Sequence, residues 1–378
     1  MTTKRIRAIG AAVLAVVWAG IAIFAWIKPN NDFSDAERRP LETFPQLTGD
    51  SLLSGDFMED FEGYTLDQFP GRDSFRRLKA LFHYNVLFQK DNNDIYIEDG
   101  YAAQLQYPLN ETGVRKATDR FNYIYDSYLK NTGSTVFSAV IPDKGYYMAE
   151  RNGYPAMDYD RLFGMMQENL PWATHIDLTD CLQQQDYYRT DTHWRQENLI
   201  PVAGKISTAM GVTPPDAADY EIQSVSRPFY GVYYGQAALP MEPDTMQVLQ
   251  ADHLQNCTTY SITWDASTNQ QVAQKLYNGV YDWDKLDSKD LYDIYLSGPQ
   301  PVLVIENSAA TTDRELILFR DSYGSSLTPL LVQNYAKITL VDIRYVSADL
   351  LPSLMEFKGQ DVLFLFSALI LNSGAVLK

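Results

Sequence analysis

Apolar and polar positions fall into three regimes along this chain. The first is an unbroken run from Ala8 to Ile27 that carries no charge, with Lys4, Arg5 and Arg7 just ahead of it. About 20 apolar residues is the length a helix needs to cross a bilayer. A secretory signal has a shorter apolar stretch, roughly 7 to 15 residues, followed by a small-residue cleavage site. Here Lys28-Pro29-Asn30-Asn31 follows instead. Residues 1–28 are therefore expected to be a cytoplasmic stub and an uncleaved anchor, with Trp26 near the far interface. The basic flank should stay in the cytoplasm, which places everything after Lys28 outside the cell.

The second regime, residues 29–94, opens with a segment rich in Asp, Glu, Pro and Gly that has no long apolar period. From Ser54 the spacing turns helical. Phe57, Phe61, Tyr64 and Leu66 recur on one face, "FPGRDS" interrupts, and Leu78, Leu81, Phe82 and Val86 resume it. This segment is expected to pack on the main domain.

The third regime, residues 95–378, alternates short apolar runs with amphipathic stretches. Strands are predicted over 134–142, 174–178, 301–306, 316–319, 337–343 and 361–366. Helices are predicted over 118–130, 161–169 and 194–210. Five or six apolar residues per strand, separated by helices, is the pattern of a mostly parallel sheet covered on both faces, so the fold class is α/β. Residues 212–300 are less regular and are expected to form an insertion.

Composition narrows the function. The net charge of -17 repels phosphate backbones, so nucleic-acid binding is excluded. Hydrophobic residues make up 46%, enough for a sizeable core. The two cysteines, Cys181 and Cys257, allow one disulfide outside the membrane or two separate thiols; the sequence leaves both open.

Two stretches carry candidate chemistry. In "ELILFRDSYGSSLTPLL" an apolar strand ends at Phe319, and Ser322 sits on the turn before a helix. A strand-to-helix turn at the carboxyl edge of a sheet presents a nucleophile to the crevice, although a serine there also serves as a helix N-cap. The amides of Ser322 and Tyr323 would face developing negative charge. In "YYRTDTHW", Asp191 and His193 are two residues apart and so share one side of an extended backbone. The carboxylate can hold Nδ1 of the imidazole and leave Nε2 free to take a proton. Tyr187, Tyr188 and Trp194 would wall the site. His83, His175 and His253 are expected to be structural. No companion ligand accompanies His193, so no metal is expected, and no cofactor.

Together "YYRTDTHW" and "LILFRDSYGSSLTPLL" resemble the SGNH-hydrolase-like proteins of the DHHW type, relatives of the alginate O-acetylation proteins. "ERRPLETFP", "DQFPGRD", "VFSAVIPDKGYY" and "KITLVDIRY" resemble other segments of that family in the same order. The resemblance implies a three-layer α/β sandwich with a catalytic triad at Ser322, His193 and Asp191. It implies work on acetyl esters of an extracellular polysaccharide, beside a membrane-bound O-acyltransferase that supplies acetyl groups. The chain departs from the family in two places. Asp-Thr-His-Trp replaces the name-giving Asp-His-His-Trp, as it does in the alginate relatives, and Arg320-Asp321 precedes the serine where ordinary SGNH hydrolases have Gly-Asp. The family's Gly and Asn oxyanion blocks find no clear counterpart, which leaves Asn307 and Asn372 as further candidates. Arg320 would bind substrate or pair with Asp321. The alternative function is a non-catalytic polysaccharide-binding or assembly component.

Overall fold

The computed structural model describes residues 3–265 and 267–378. The chain divides into two units. One runs up to Asn93 and includes Tyr234–Pro240; the other comprises Asp94–Tyr233 and Met241–Lys378.

In the first unit, α1 (Thr3–Ile27) is long and apolar enough to cross a membrane, the one such helix among the described residues. After a short helix over Gly49–Ser54 come α2 (Asp56–Asp67) and α3 (Arg72–Asn85), separated by a turn at Gly71, whose φ of 71° suits glycine. Glu37 and Asp67 hold this unit together by pairing with Arg39, Arg72 and Arg76.

The second unit is built on an eight-stranded sheet. In chain order the strands are β1 (Thr135–Ile141), β2 (Thr174–Ile176), β3 (Cys257–Asp265), β4 (Gln270–Asn278), β5 (Val302–Asn307), β6 (Glu315–Arg320), β7 (Lys337–Val341) and β8 (Asp361–Ser367). Their spatial order is β4-β3-β5-β7-β6-β8-β1-β2. From β7 to β2 all neighbours are parallel; β4, β3 and β5 add an antiparallel flank.

Side chains of the central strands alternate between two cores. Leu316, Leu318, Leu363 and Leu365 face one core, with α6 (Ile200–Ala209) supplying Val202, Ala203 and Ile206. Ile317, Phe319, Val362 and Phe364 face the other. There α4 (Glu111–Ile124) and α5 (Tyr159–Asn169) contribute Phe121, Ile124, Leu162 and Met165. Burial on both faces is why these strands read as continuous apolar runs, and the result is the expected three-layer arrangement.

Two sequence expectations change: the helix predicted from Trp194 begins only at Ile200, and the segment 212–300 is ordered. Residues 212–300 are not simply irregular: they supply β3, β4 and an antiparallel hairpin, Glu221–Phe229 with Asp244–Gln250. β4 escaped notice because it is an edge strand, mostly exposed, and has no apolar run to betray it. Cys181 and Cys257 are separate thiols.

Candidate active site

β6 points its carboxyl end at a turn that the chain fixes through one carboxylate. Asp321 Oδ1 accepts the Tyr323 amide at 3.1 Å, and Oδ2 accepts both the amide (2.8 Å) and the hydroxyl (2.6 Å) of Ser367 at the end of β8. The turn is thus tied to the neighbouring parallel strand, and Ser322 is held at the rim before the short helix α7 (Tyr323–Leu327). The Ser322 side chain makes no capping bond to that helix. Its hydroxyl lies 2.7 Å from Nε2 of His193 instead.

The imidazole arrives on a tight loop. Tyr187 and Trp194 form a β-bridge, and the Tyr188 amide bonds the His193 carbonyl at 3.0 Å. Within the loop Asp191 Oδ1 lies 2.6 Å from Nδ1 of His193 and accepts the His193 amide at 3.0 Å. The second oxygen, Oδ2, accepts the Val232 amide at 2.8 Å. Three hydrogen bonds to a fully buried carboxylate fix its orientation. Residues 129 positions apart thus join in one run from Asp191 through His193 to Ser322, and Ser322 is its partly exposed end.

Three supports hold this loop, and the sequence reading assigned a role to none of them. Asp244 accepts the amides of Arg189 and Thr190 and the Thr190 hydroxyl, at 2.9, 2.8 and 2.6 Å. Lys144, wholly buried, donates to the carbonyls of Tyr188 (2.8 Å) and Asp191 (2.6 Å). Burial pushes its amine down to about 7, against the pull of Asp191, Asp244 and Asp143. Gly231 passes so near Asp191 that a Cβ there would fall 2.2 Å from the aspartate's own Cβ. Tyr292 is the fourth omission: its ring lies flat on the His193 imidazole. The signal for Lys144 was its place in "VFSAVIPDKGYY", a segment that resembles the family but gave the lysine no role. Tyr292, Gly231 and Asp244 lie in the segment whose periodicity gave no element.

Several candidate substrate or oxyanion groups are committed elsewhere. Trp194 is fully buried, and its Nε1 donates to the Tyr323 carbonyl (3.1 Å) and Ser326 Oγ (2.9 Å), so it clamps α7 rather than lining a site. Tyr188 is also fully buried, edge-on to Phe229. Arg320 is inaccessible to substrate beneath the turn, with Asp342 3.8 Å away, and burial lowers its pKa. The Tyr323 amide is taken by Asp321, whereas the Ser322 amide has no acceptor among the described residues. Asn372 bonds the Asn110 amide and Gln106. Asn307 bonds Val332 and Ala309 at the wrong edge of the sheet. Its neighbour Glu306 and the first residue of β6, Glu315, both register with Lys337. Ser322 lies beyond the other end of that strand, about 20 Å away at roughly 3.3 Å per residue.

No protein-family model matches the chain, and no curated protein matches it closely. Solved structures do. A DHHW family protein from Eubacterium siraeum covers 75% of this chain and 93% of its own, with a TM-score of 0.59 and 20% identity. Bacillus cereus PatB1, solved with a sulfonyl adduct, covers 74% and 96%, with a TM-score of 0.58 and 17% identity. The O-acetyltransferase domain of Pseudomonas putida AlgJ, at a TM-score of 0.43, is too distant to inform the site. At these identities the likeness is one of fold, and the chain has the fold of the DHHW-type protein that its motifs resemble.

Proposed function

We propose that this chain is a membrane-anchored extracellular serine acyltransferase or esterase that handles acetyl esters of a cell-envelope or exported polysaccharide. The observation that carries the reading is the hydrogen-bonded run Asp191–His193–Ser322, with gaps of 2.6 and 2.7 Å. Distances of this kind are what proton transfer during nucleophilic attack requires.

In this reading Ser322 Oγ attacks the acetyl carbonyl carbon while His193 Nε2 takes the hydroxyl proton. The imidazolium is held by Asp191 through Nδ1–H. Collapse of the tetrahedral adduct breaks the bond to the donor oxygen, which leaves with the proton from Nε2, and acetyl-Ser322 remains. A sugar hydroxyl then gives its proton to Nε2 and attacks the ester; the second adduct collapses, Ser322 Oγ leaves with the proton from Nε2, and the acetylated sugar departs. Water in place of the sugar gives hydrolysis, so exclusion of water decides between the two outcomes. The Ser322 amide is the candidate donor to the oxyanion. α1 supports the anchor, and a membrane-bound O-acyltransferase is the partner of matching chemistry. The alternative, a binding component with a lapsed triad, gives no reason for a serine hydroxyl to forgo its helix cap for an imidazole.

Because PatB1 has been solved with a sulfonyl adduct, a sulfonyl fluoride is the apt probe. The full chain, treated with phenylmethylsulfonyl fluoride and digested, should carry the added mass on the peptide containing Ser322. Ser322→Ala should carry none, and His193→Ala should label far more slowly. Labelling that is equal in all three proteins removes the proposed nucleophile and base.

A further inference from the structure

α3 is amphipathic the wrong way round for a soluble helix. Its inward face holds Ala80, which is 0% exposed, and Arg76. Arg76 donates to the Gly235 carbonyl at 3.0 Å and pairs with Glu37 at 3.2 Å. Its outward face holds Phe75, Leu78 and Phe82, which are 54%, 62% and 50% exposed, and Val86 continues the stripe just past the helix. Residues 75, 78, 82 and 86 fall on one line of a helix, so the apolar surface is contiguous. Soluble proteins rarely leave such a patch in water.

The surroundings say what covers it. Phe69, in the turn before α3, packs edge-on against Phe75 with ring centroids 5.4 Å apart. Phe69 and Tyr64 also line an apolar cavity of about 250 Å³ whose other wall is Trp18, Ala22 and Ala25 of α1. Trp18 lies nine residues before the end of α1, about 14 Å down its axis at 1.5 Å per residue. The outer half of a bilayer's hydrocarbon layer is about 15 Å deep. A continuous apolar surface therefore runs from the membrane-spanning part of α1, through Phe69, to the outward stripe of α3. Lys79 lies beside that stripe, where a cation meets anionic headgroups.

We infer that α3 is an interfacial helix: its Phe75–Leu78–Phe82 face is sunk in the outer leaflet of the membrane that α1 crosses. The occupant is lipid, and the inference rests on the anchor reading of α1. It confines the chain to the membrane surface beyond the tether itself, beside the membrane-bound acyltransferase of the proposed function.

The test uses the full chain with Cys181→Ser, in phosphatidylcholine–phosphatidylglycerol vesicles. An environment-sensitive fluorophore is placed in turn at Leu78→Cys, Phe82→Cys, Asp73→Cys and Val16→Cys. Phosphatidylcholine bearing a nitroxide on its acyl chain is the quencher. Leu78, Phe82 and Val16 should lose most of their emission, and Asp73, on the opposite face of α3, should keep it. Emission kept at Leu78 and Phe82 while Val16 is quenched would overturn the inference and leave the anchor intact. Quenching at Asp73 as well would overturn the orientation. Emission kept at Val16 would remove the anchor, and the inference with it.

Discussion

The imidazole of His193 lies flat against the phenol ring of Tyr292, with centroids 3.8 Å apart and planes 9° from parallel. Tyr292 is in turn held by a 2.8 Å hydrogen bond to Ser326, which also accepts Trp194 Nε1. A cation over an aromatic face gains about 0.5–2 kcal/mol, and that gain appears only when the base has taken its proton. Replacing Tyr292 by leucine should lower kcat roughly tenfold, since 1.4 kcal/mol is a factor of ten. Tyr292→Phe keeps the stack and should keep most of the rate. Steady-state hydrolysis of p-nitrophenyl acetate compares the two; equal losses would show that the hydroxyl, not the ring, matters.

In the proposed triad Asp191, 2.6 Å from Nδ1, sets the tautomer of His193. In Asp191→Asn an amide N–H would face Nδ1, so the proton moves to Nε2 and the base can no longer accept from Ser322. By analogy with the trypsin-type triad, kcat should fall by about 10⁴. The fold should survive, because the amide oxygen can still accept one of the backbone donors. Kinetics paired with circular dichroism separates this outcome from unfolding, which would lower both together.

Lys144 ties stability to pH. Its amine is down at about 7, so between there and its ordinary 10.5 the unfolded chain holds a proton that the folded chain has released. The stability due to this residue therefore rises with pH across that window, by at most about 1.4 kcal/mol per unit, and is flat below it. Lys144→Met should remove the slope and also strand the Tyr188 and Asp191 carbonyls, at a cost of about 1–3 kcal/mol. Thermal unfolding of both proteins at pH 7 and pH 9 measures this. A gap that does not widen at the higher pH contradicts the assignment.

Gly231→Ala should disturb chemistry more than its size suggests. The new methyl would overlap Asp191 Cβ and Cα, at 2.2 and 2.3 Å, so one segment must move. Overpacking of this kind costs about 1–3 kcal/mol. Because the displaced atoms belong to the residue that holds His193, labelling of Ser322 by the sulfonyl fluoride should slow severalfold at temperatures where the variant is still fully folded.

The parts of the fold and site that were legible in the sequence share a physical reason. Strands buried on both faces, such as Leu316–Phe319 and Val362–Phe366, announce themselves as apolar runs, and the Asp191–His193 spacing places both groups on one side of a loop. That Ser322 lies 2.7 Å from His193 was expected only through the family's likeness, since nothing local links residues 129 positions apart. The supporting groups were invisible for the same cause. Asp244, Gly231 and Tyr292 act through close approach, and close approach leaves no period in a sequence. Tyr188 and Trp194 misled because an aromatic beside a candidate base fits a wall and a core equally well. The outward face of α3 was seen as a stripe, but a helical period does not say which way the stripe points.

The loop that carries Asp191 and His193 is anchored by Asp244, Gly231 and Val232, all from the long segment between α6 and β5. If the proposed reaction is the one performed, the trio Asp191, His193 and Ser322 is non-transplantable on its own. Moving "TDTHW" and "RDSYG" onto another scaffold of this fold would carry the reagents without their brace. The swappable cassette must include residues 229–244, and a chimaera that exchanges that stretch alone should be catalytically silent with its three reacting side chains untouched.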